Sequence, residues 1–160
     1  MSHKGIYIRL RAALVGVLLC IFLVYYLVTV TASEMINIYN GAPDAKIITV
    51  WLIAVLLTAV PCLVCVVLGW QTSNLVKADR SFSGETARLL SKISTCALVD
   101  AGYFLIVNIV MGVLNYQTPG VIIVSAAIIL LAIAFGMAFA ALARFVQKAA
   151  DLQEESDLTV

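Results

Sequence analysis

Residues 93–113, ISTCALVDAGYFLIVNIVMGV, decide how many times this chain crosses a membrane. The stretch holds ten Leu, Ile, Val and Phe residues, interrupted by Asp100 and Asn108. Near the centre of a span each such apolar residue contributes about −0.3 to −0.6 kcal/mol to insertion, whereas an Asp opposes it by about 2.5 to 3.5 kcal/mol. The balance is modestly favourable, so the segment reads as a span that leans on its neighbours. Working outward, uncharged runs cover residues 12–33, 47–76 and 118–143, each long enough for a bilayer crossing of about 20 residues. Trp70 marks the lipid boundary of the second run, which places the spans at about 12–33, 47–70, 93–113 and 121–143. A composition of 63% hydrophobic and 12% charged residues, with a mean hydropathy of +1.08, excludes an ordinary soluble domain.

The net charge of +1 conceals a lateral bias. Lys4, Arg9 and Arg11 precede the first span; Lys77, Arg80, Arg88 and Lys92 lie between the second and third; Arg144 and Lys148 follow the fourth. Lys46 alone falls on the other side. Under the positive-inside rule both termini and the middle connection belong in the cytoplasm, giving a multi-pass protein of the plasma (inner) membrane. The basic start and the Val30-Thr31-Ala32 triplet resemble a secretory signal, but the apolar run exceeds the roughly 7 to 15 residues of a signal core, so an uncleaved span is expected.

Trp51 and Trp70 are nineteen residues apart, about 28 Å along a helix, and suit the two interfaces of the second span. Pro61 between them predicts a kink near Thr58, with freed backbone groups that a neighbour or a hydroxyl side chain must satisfy. The outer connections are short and carry turn residues, Asn40-Gly41-Ala42-Pro43 and Pro119-Gly120. In the cytoplasmic connection, residues 71–92, Ser83 is a candidate N-cap with Glu85 in the following turn. The second and third helices are expected to project past the membrane as a hairpin, and the fourth to continue into the tail, residues 144–160. The connection sums to +2 and the tail to −2, which suits docking between the two or, equally, two solvated charged faces. The sequence therefore predicts one all-α domain over residues 1–160, a four-helix transmembrane bundle of up-down topology.

Small residues at four-residue spacing, Ala132-Gly136-Ala140 and Ala12-Gly16-Cys20, mark candidate helix contact faces. They serve equally within one chain or in a homo-oligomer. Asp100, an ionisable group inside the bilayer, is the default functional candidate, with Asn108 on the same helix. A polar clamp between helices is its simplest role; Arg144 is placed to reach it from the interface, and a small transporter or channel component is the alternative. Cys20, Cys62, Cys65 and Cys96 all fall in the cytoplasmic half, which admits a membrane thiol or metal protein as a further alternative, though buried Cys more often serves as a small hydrophobe. His3 is the sole histidine. No catalytic, cofactor-binding or metal motif is present, and the basic residues border the membrane, so neither an enzyme, a cofactor nor direct nucleic-acid binding is expected.

Two cytoplasmic pieces, Lys77-Ala78-Asp79-Arg80-Ser81-Phe82-Ser83 and Asp151 through Glu155-Ser156-Asp157-Leu158-Thr159-Val160, resemble the bacterial membrane family called domain of unknown function 2975. The resemblance implies four spans and no known activity. Members are often encoded beside a short Cro-like helix-turn-helix regulator, which implies a membrane partner for a transcription factor. On that basis Phe82, Leu158, Thr159 and Val160 are expected to form the docking surface.

Overall fold

The structure is a computed structural model that describes residues 3–38, 43–78 and 83–158. Its helices are α1 (His3–Ile38), α2 (Pro43–Leu57), α3 (Ala59–Lys77), α4 (Gly84–Val113) and α5 (Pro119–Leu158). α2 and α3 are two halves of one long helix, so four helical rods are long and apolar enough to cross a membrane. Large apolar side chains such as Phe22, Ile106, Ile123 and Leu131 are more than half exposed along them, as expected where lipid is the solvent. At 40 residues α5 is about 60 Å long, twice the hydrocarbon thickness of a bilayer.

The break between α2 and α3 follows from Pro61, which has no N–H to offer the carbonyl of Leu57. The ladder tightens one turn earlier, where the Thr58 amide bonds Val55 O at 3.1 Å, and resumes with the Cys62 amide on Thr58 O. The interruption falls at the position that Pro61 predicts.

The rods lie in chain order as a row. α1 packs on α2 and α3, α3 on α4, and α4 on α5, while α1 and α5 occupy opposite edges with no close backbone approach between them. The start of α1 and the later turns of α5 lie at the same end of the row: Arg11 of α1 bonds Asn74 of α3, and Ala87 of α4 packs with Val146 of α5. At the opposite end the Trp51 indole donates to Tyr116 O in the last connection. The up-down order expected from the short connections is thus present, laid out flat.

Being flanked on both sides, α4 buries residues on two faces, including Thr86, Ala87, Leu89, Leu90, Ile93 and Ser94. Ser83 caps it as its sequence predicts, accepting from the Thr86 amide at 3.3 Å. Against it α5 presents a seam of 4-3 spacing, Ile129, Ala132, Gly136, Phe139, Ala143 and Val146, the pattern of left-handed helix pairs. At Gly136 the backbones meet: an added Cβ would lie 2.8 Å from the Leu98 side chain and 3.4 Å from Ser94 O, and Ser94 Oγ donates to Gly136 O at 2.7 Å. The Ala132-Gly136 face is therefore an intrachain contact. Beyond it Ala87, Leu90, Ala143 and Val146, with Phe139 packed against them, form a small apolar core near the end that carries the termini. This apolar seam joins the start of α4 to the far part of α5.

The second small-residue face behaves differently. Nothing lies within 4 Å of a Cβ built on Gly16, and Ala12 and Cys20 are exposed, so this stripe contacts no other helix of the chain. The working seam of α1 is Arg11, Leu14, Leu18, Ile21, Tyr25 and Val28, with Leu14 seated on Gly69 of α3.

Candidate functional site

The kinked helix gathers polar groups halfway along the rods. Thr58 Oγ1 donates its single proton to Val55 O at 2.6 Å, which makes the Tyr25 hydroxyl of α1 the donor in their 2.7 Å contact. The tightened turn also leaves Ala54 O without its usual amide, and Tyr103 of α4 supplies a hydroxyl to it at 3.2 Å. Three rods are thus pinned at one level because Pro61 opened the backbone there. Thr58 and the need for such donors are readable from Pro61; Tyr25 and Tyr103 are not, their one signal being a phenol far from either interface.

Asp100 faces this cluster from α4. It is partly buried, and its Oδ1 is enclosed with no hydrogen-bond partner. Arg144 makes no ion pair with it, contrary to the sequence expectation. The guanidinium instead lines an open groove among Arg88, Lys92 and Gln147, about two to three turns from Asp100 toward the end carrying the termini.

Asn108 is separate from Asp100 and belongs to the far end of α4. Its amide donates to Phe104 O at 2.8 Å, and Gln117 folds back to donate to both Asn108 O and Oδ1. The same turn ends α4 in a Schellman arrangement: the Tyr116 amide bonds Met111 O, the Asn115 amide bonds Gly112 O, and Asn115 holds φ at 58°. Gln117, which sequence reading passed over, is the closing group.

The thiols divide in the same way. Cys65 Sγ approaches Ile93 O at 3.8 Å and Cys96 Sγ approaches Pro61 O at 3.7 Å, weak contacts that stitch α3 to α4. Cys20 stands apart, exposed on α1, and all four cysteines are free. Among the described residues no three His, Cys, Asp or Glu side chains are arranged to hold a metal ion. Phe82, Thr159 and Val160, expected to form a docking surface, lie outside the described residues, and Leu158 is the last residue of α5.

At the end that carries the termini a second polar fixture holds α1. The Arg11 guanidinium lies between the rings of Tyr7, 4.6 Å from its centroid, and Trp70, 4.5 Å from its centroid, and donates to Asn74 Oδ1 at 2.9 Å. Trp70 thus does more than mark an interface. The Tyr7-to-Arg11 spacing of four residues was the available clue.

Four apolar rods, lipid-facing flanks and a polar midpoint define a multi-pass, all-helical membrane protein. The chain belongs to the family described as Protein of unknown function (DUF2975), whose model matches residues 4–160. It is similar to the protein named "Uncharacterized membrane protein YoaS" of Bacillus subtilis (strain 168), with 26% identity over 161 residues covering 97% of this chain and 96% of the relative. No solved structure matches the chain.

Proposed function

We propose that the protein is a non-enzymatic membrane partner that acts through the face bearing its termini, turned to the cytoplasm, and that it docks a small helix-turn-helix regulator there. The observation that carries this reading is the continuation of the α4/α5 seam past the membrane-spanning length. Ala87, Leu90, Ala143 and Val146 give that extension its own core, so it is a preformed element rather than a tail. Leu152 is 58% exposed on it, an apolar group offered to a partner. The basic residues on this side support that orientation through the positive-inside rule. The family resemblance supplies the class of partner. Copurification of the full-length protein with the neighbouring regulator tests the proposal. Removal of residues 157–160, or Phe82→Ala, should abolish capture; capture undiminished by both changes overturns the docking surface.

A second reading has its own observation, the enclosed and unpartnered Asp100 Oδ1 between three rods. An intramembrane carboxylate of this kind suits a step on a polar path for a proton or cation. Loss of transport in Asp100→Asn with the protein still inserted favours it; unchanged behaviour leaves Asp100 as a clamp.

A further inference from the structure

Because α3 and α5 both pack on α4 without packing on each other, one face of α4 stays open between them. The opening is a groove of about 970 Å³ near the end that bears the termini. Arg88 and Lys92 of α4 and Arg144 of α5 line it, and Val64 of α3, Val99 of α4 and Ala140 of α5 line its deeper part. Arg88, Ser91, Lys92, Thr95 and Val99 follow helical 3-4 spacing and share one face of α4. Along that face the surface changes from cations, through two hydroxyls, to hydrocarbon. Arg88 and Val99 are about 16 Å apart along the axis, close to the roughly 15 Å of hydrocarbon in one leaflet.

None of the three cations has a hydrogen-bond or ion-pair partner among the described residues. Three cations lining one groove, with no ion-pair partner among the described residues, make a site suited to an anion. The apolar part of the groove lies at hydrocarbon depth below the cations, so a ligand that carries both an anion and an acyl chain covers the whole of it. A second copy of the chain is excluded by sign, because a two-fold contact through this face would bring two sets of the same cations together.

We propose that the groove binds an anionic phospholipid, with its phosphate held by Arg88, Lys92 and Arg144 and an acyl chain lying on Val64, Val99 and Ala140. Basic pockets between membrane helices at the inner surface recognise such headgroups by the same physics. The site is independent of any protein partner and needs only that this end of the molecule meet an anionic leaflet.

The test uses the full-length protein purified in neutral detergent and titrated with fluorescent phosphatidylglycerol or phosphatidylcholine. Phosphatidylglycerol should bind at least tenfold more tightly. The triple change Arg88→Ala, Lys92→Ala, Arg144→Ala should weaken it roughly 100-fold, about fivefold per cation. The matched triple Arg9→Ala, Lys77→Ala, Lys148→Ala removes the same charge from the same end outside the groove and should change affinity less than about threefold in all. Val99 is 65% exposed, so Val99→Trp fills the apolar part without touching a helix seam and should also weaken binding. Equal loss in the two triples, equal affinity for the two lipids, no effect of Val99→Trp, or displacement of the lipid by millimolar inorganic phosphate would each overturn the proposal, the last by showing a soluble-anion site.

Discussion

The edge helices α1 and α5 carry seams of the same 4-3 spacing yet are held in different ways. α5 offers Ala132, Gly136, Ala143 and Val146, small enough to let its backbone settle onto α4, and most of that seam is buried. α1 offers Arg11, Leu14, Leu18, Ile21 and Tyr25, and every one of them stays partly exposed. Its attachment is pinned by two polar fixtures instead, Arg11 between Tyr7 and Trp70, and Tyr25 on Thr58. In lipid, where apolar surface gains nothing by leaving its solvent, side-chain volume at a seam decides whether packing alone suffices. Small residues give close approach on one edge; hydrogen bonds and ring contacts substitute for it on the other.

The sharpest way to break this contrast is one substitution on each edge. Gly136→Val places branched methyls against Leu98 and Ser94 O and should destabilise the protein by about 2 to 3 kcal/mol through overpacking. Gly16→Val, in the small-residue stripe of α1, meets open lipid and should change stability by less than about 0.5 kcal/mol. Reversible unfolding in mixed micelles measures both. Equal effects would mean that α1 packs through Gly16 in some other arrangement, such as a second copy.

That pair also marks how far the sequence could be read. Hydropathy identifies the rods, Pro61 the break at Thr58, and Ser83 the start of α4, because each signal is local and each cause is covalent or nearly so. The Gly136 face was legible as a contact, whereas Ala12-Gly16-Cys20 had the same spacing and contacts nothing within the chain. Spacing reports which residues share a face and is silent on whether a neighbour stands opposite. The row-like order of rods, the Arg11 sandwich and the Gln117 fold-back all depend on such neighbours. Asp100 was legible as an intramembrane carboxylate, but the position of Arg144 was not, since that cation lies among Arg88 and Lys92 instead.

The next largest effect should come from the fixture at the termini. Arg11→Ala removes two cation–π contacts and the bond to Asn74, and should cost about 1 to 2 kcal/mol. Arg11→Lys keeps the charge over the rings but loses the planar stack, and should recover part of it. Faster hydrogen exchange in the first turns of α1, with α5 unaffected, is the expected pattern. Exchange that rises equally in both edges would show that the two are coupled through α3 and α4.

Smaller still is the midpoint pin. Tyr25→Phe and Thr58→Val, combined in a double-mutant cycle, should give a coupling near about 0.6 kcal/mol, the usual worth of a hydrogen bond between membrane helices. Thr58→Val also removes the bond to Val55 O, so its single effect should exceed that of Tyr25→Phe. A coupling indistinguishable from zero would leave α1 held by its Leu14-on-Gly69 contact and its end fixture.

The smallest effect is expected at the turn that joins α4 to α5, and it separates the seam from its connection. Asn115 sits at a φ of 58°, a conformation Asn tolerates better than other side-chain-bearing residues. Asn115→Gly relieves the remaining strain but gives the unfolded chain more freedom, worth about 0.5 to 1 kcal/mol in the opposite sense. The two nearly cancel, so the net change should stay within a few tenths of a kcal/mol, and Gln117 should still close on Asn108. The α4/α5 pair then owes its stability to Gly136 and the residues around it. A loss approaching that of Gly136→Val would instead make the Schellman-capped turn the feature that distinguishes this edge.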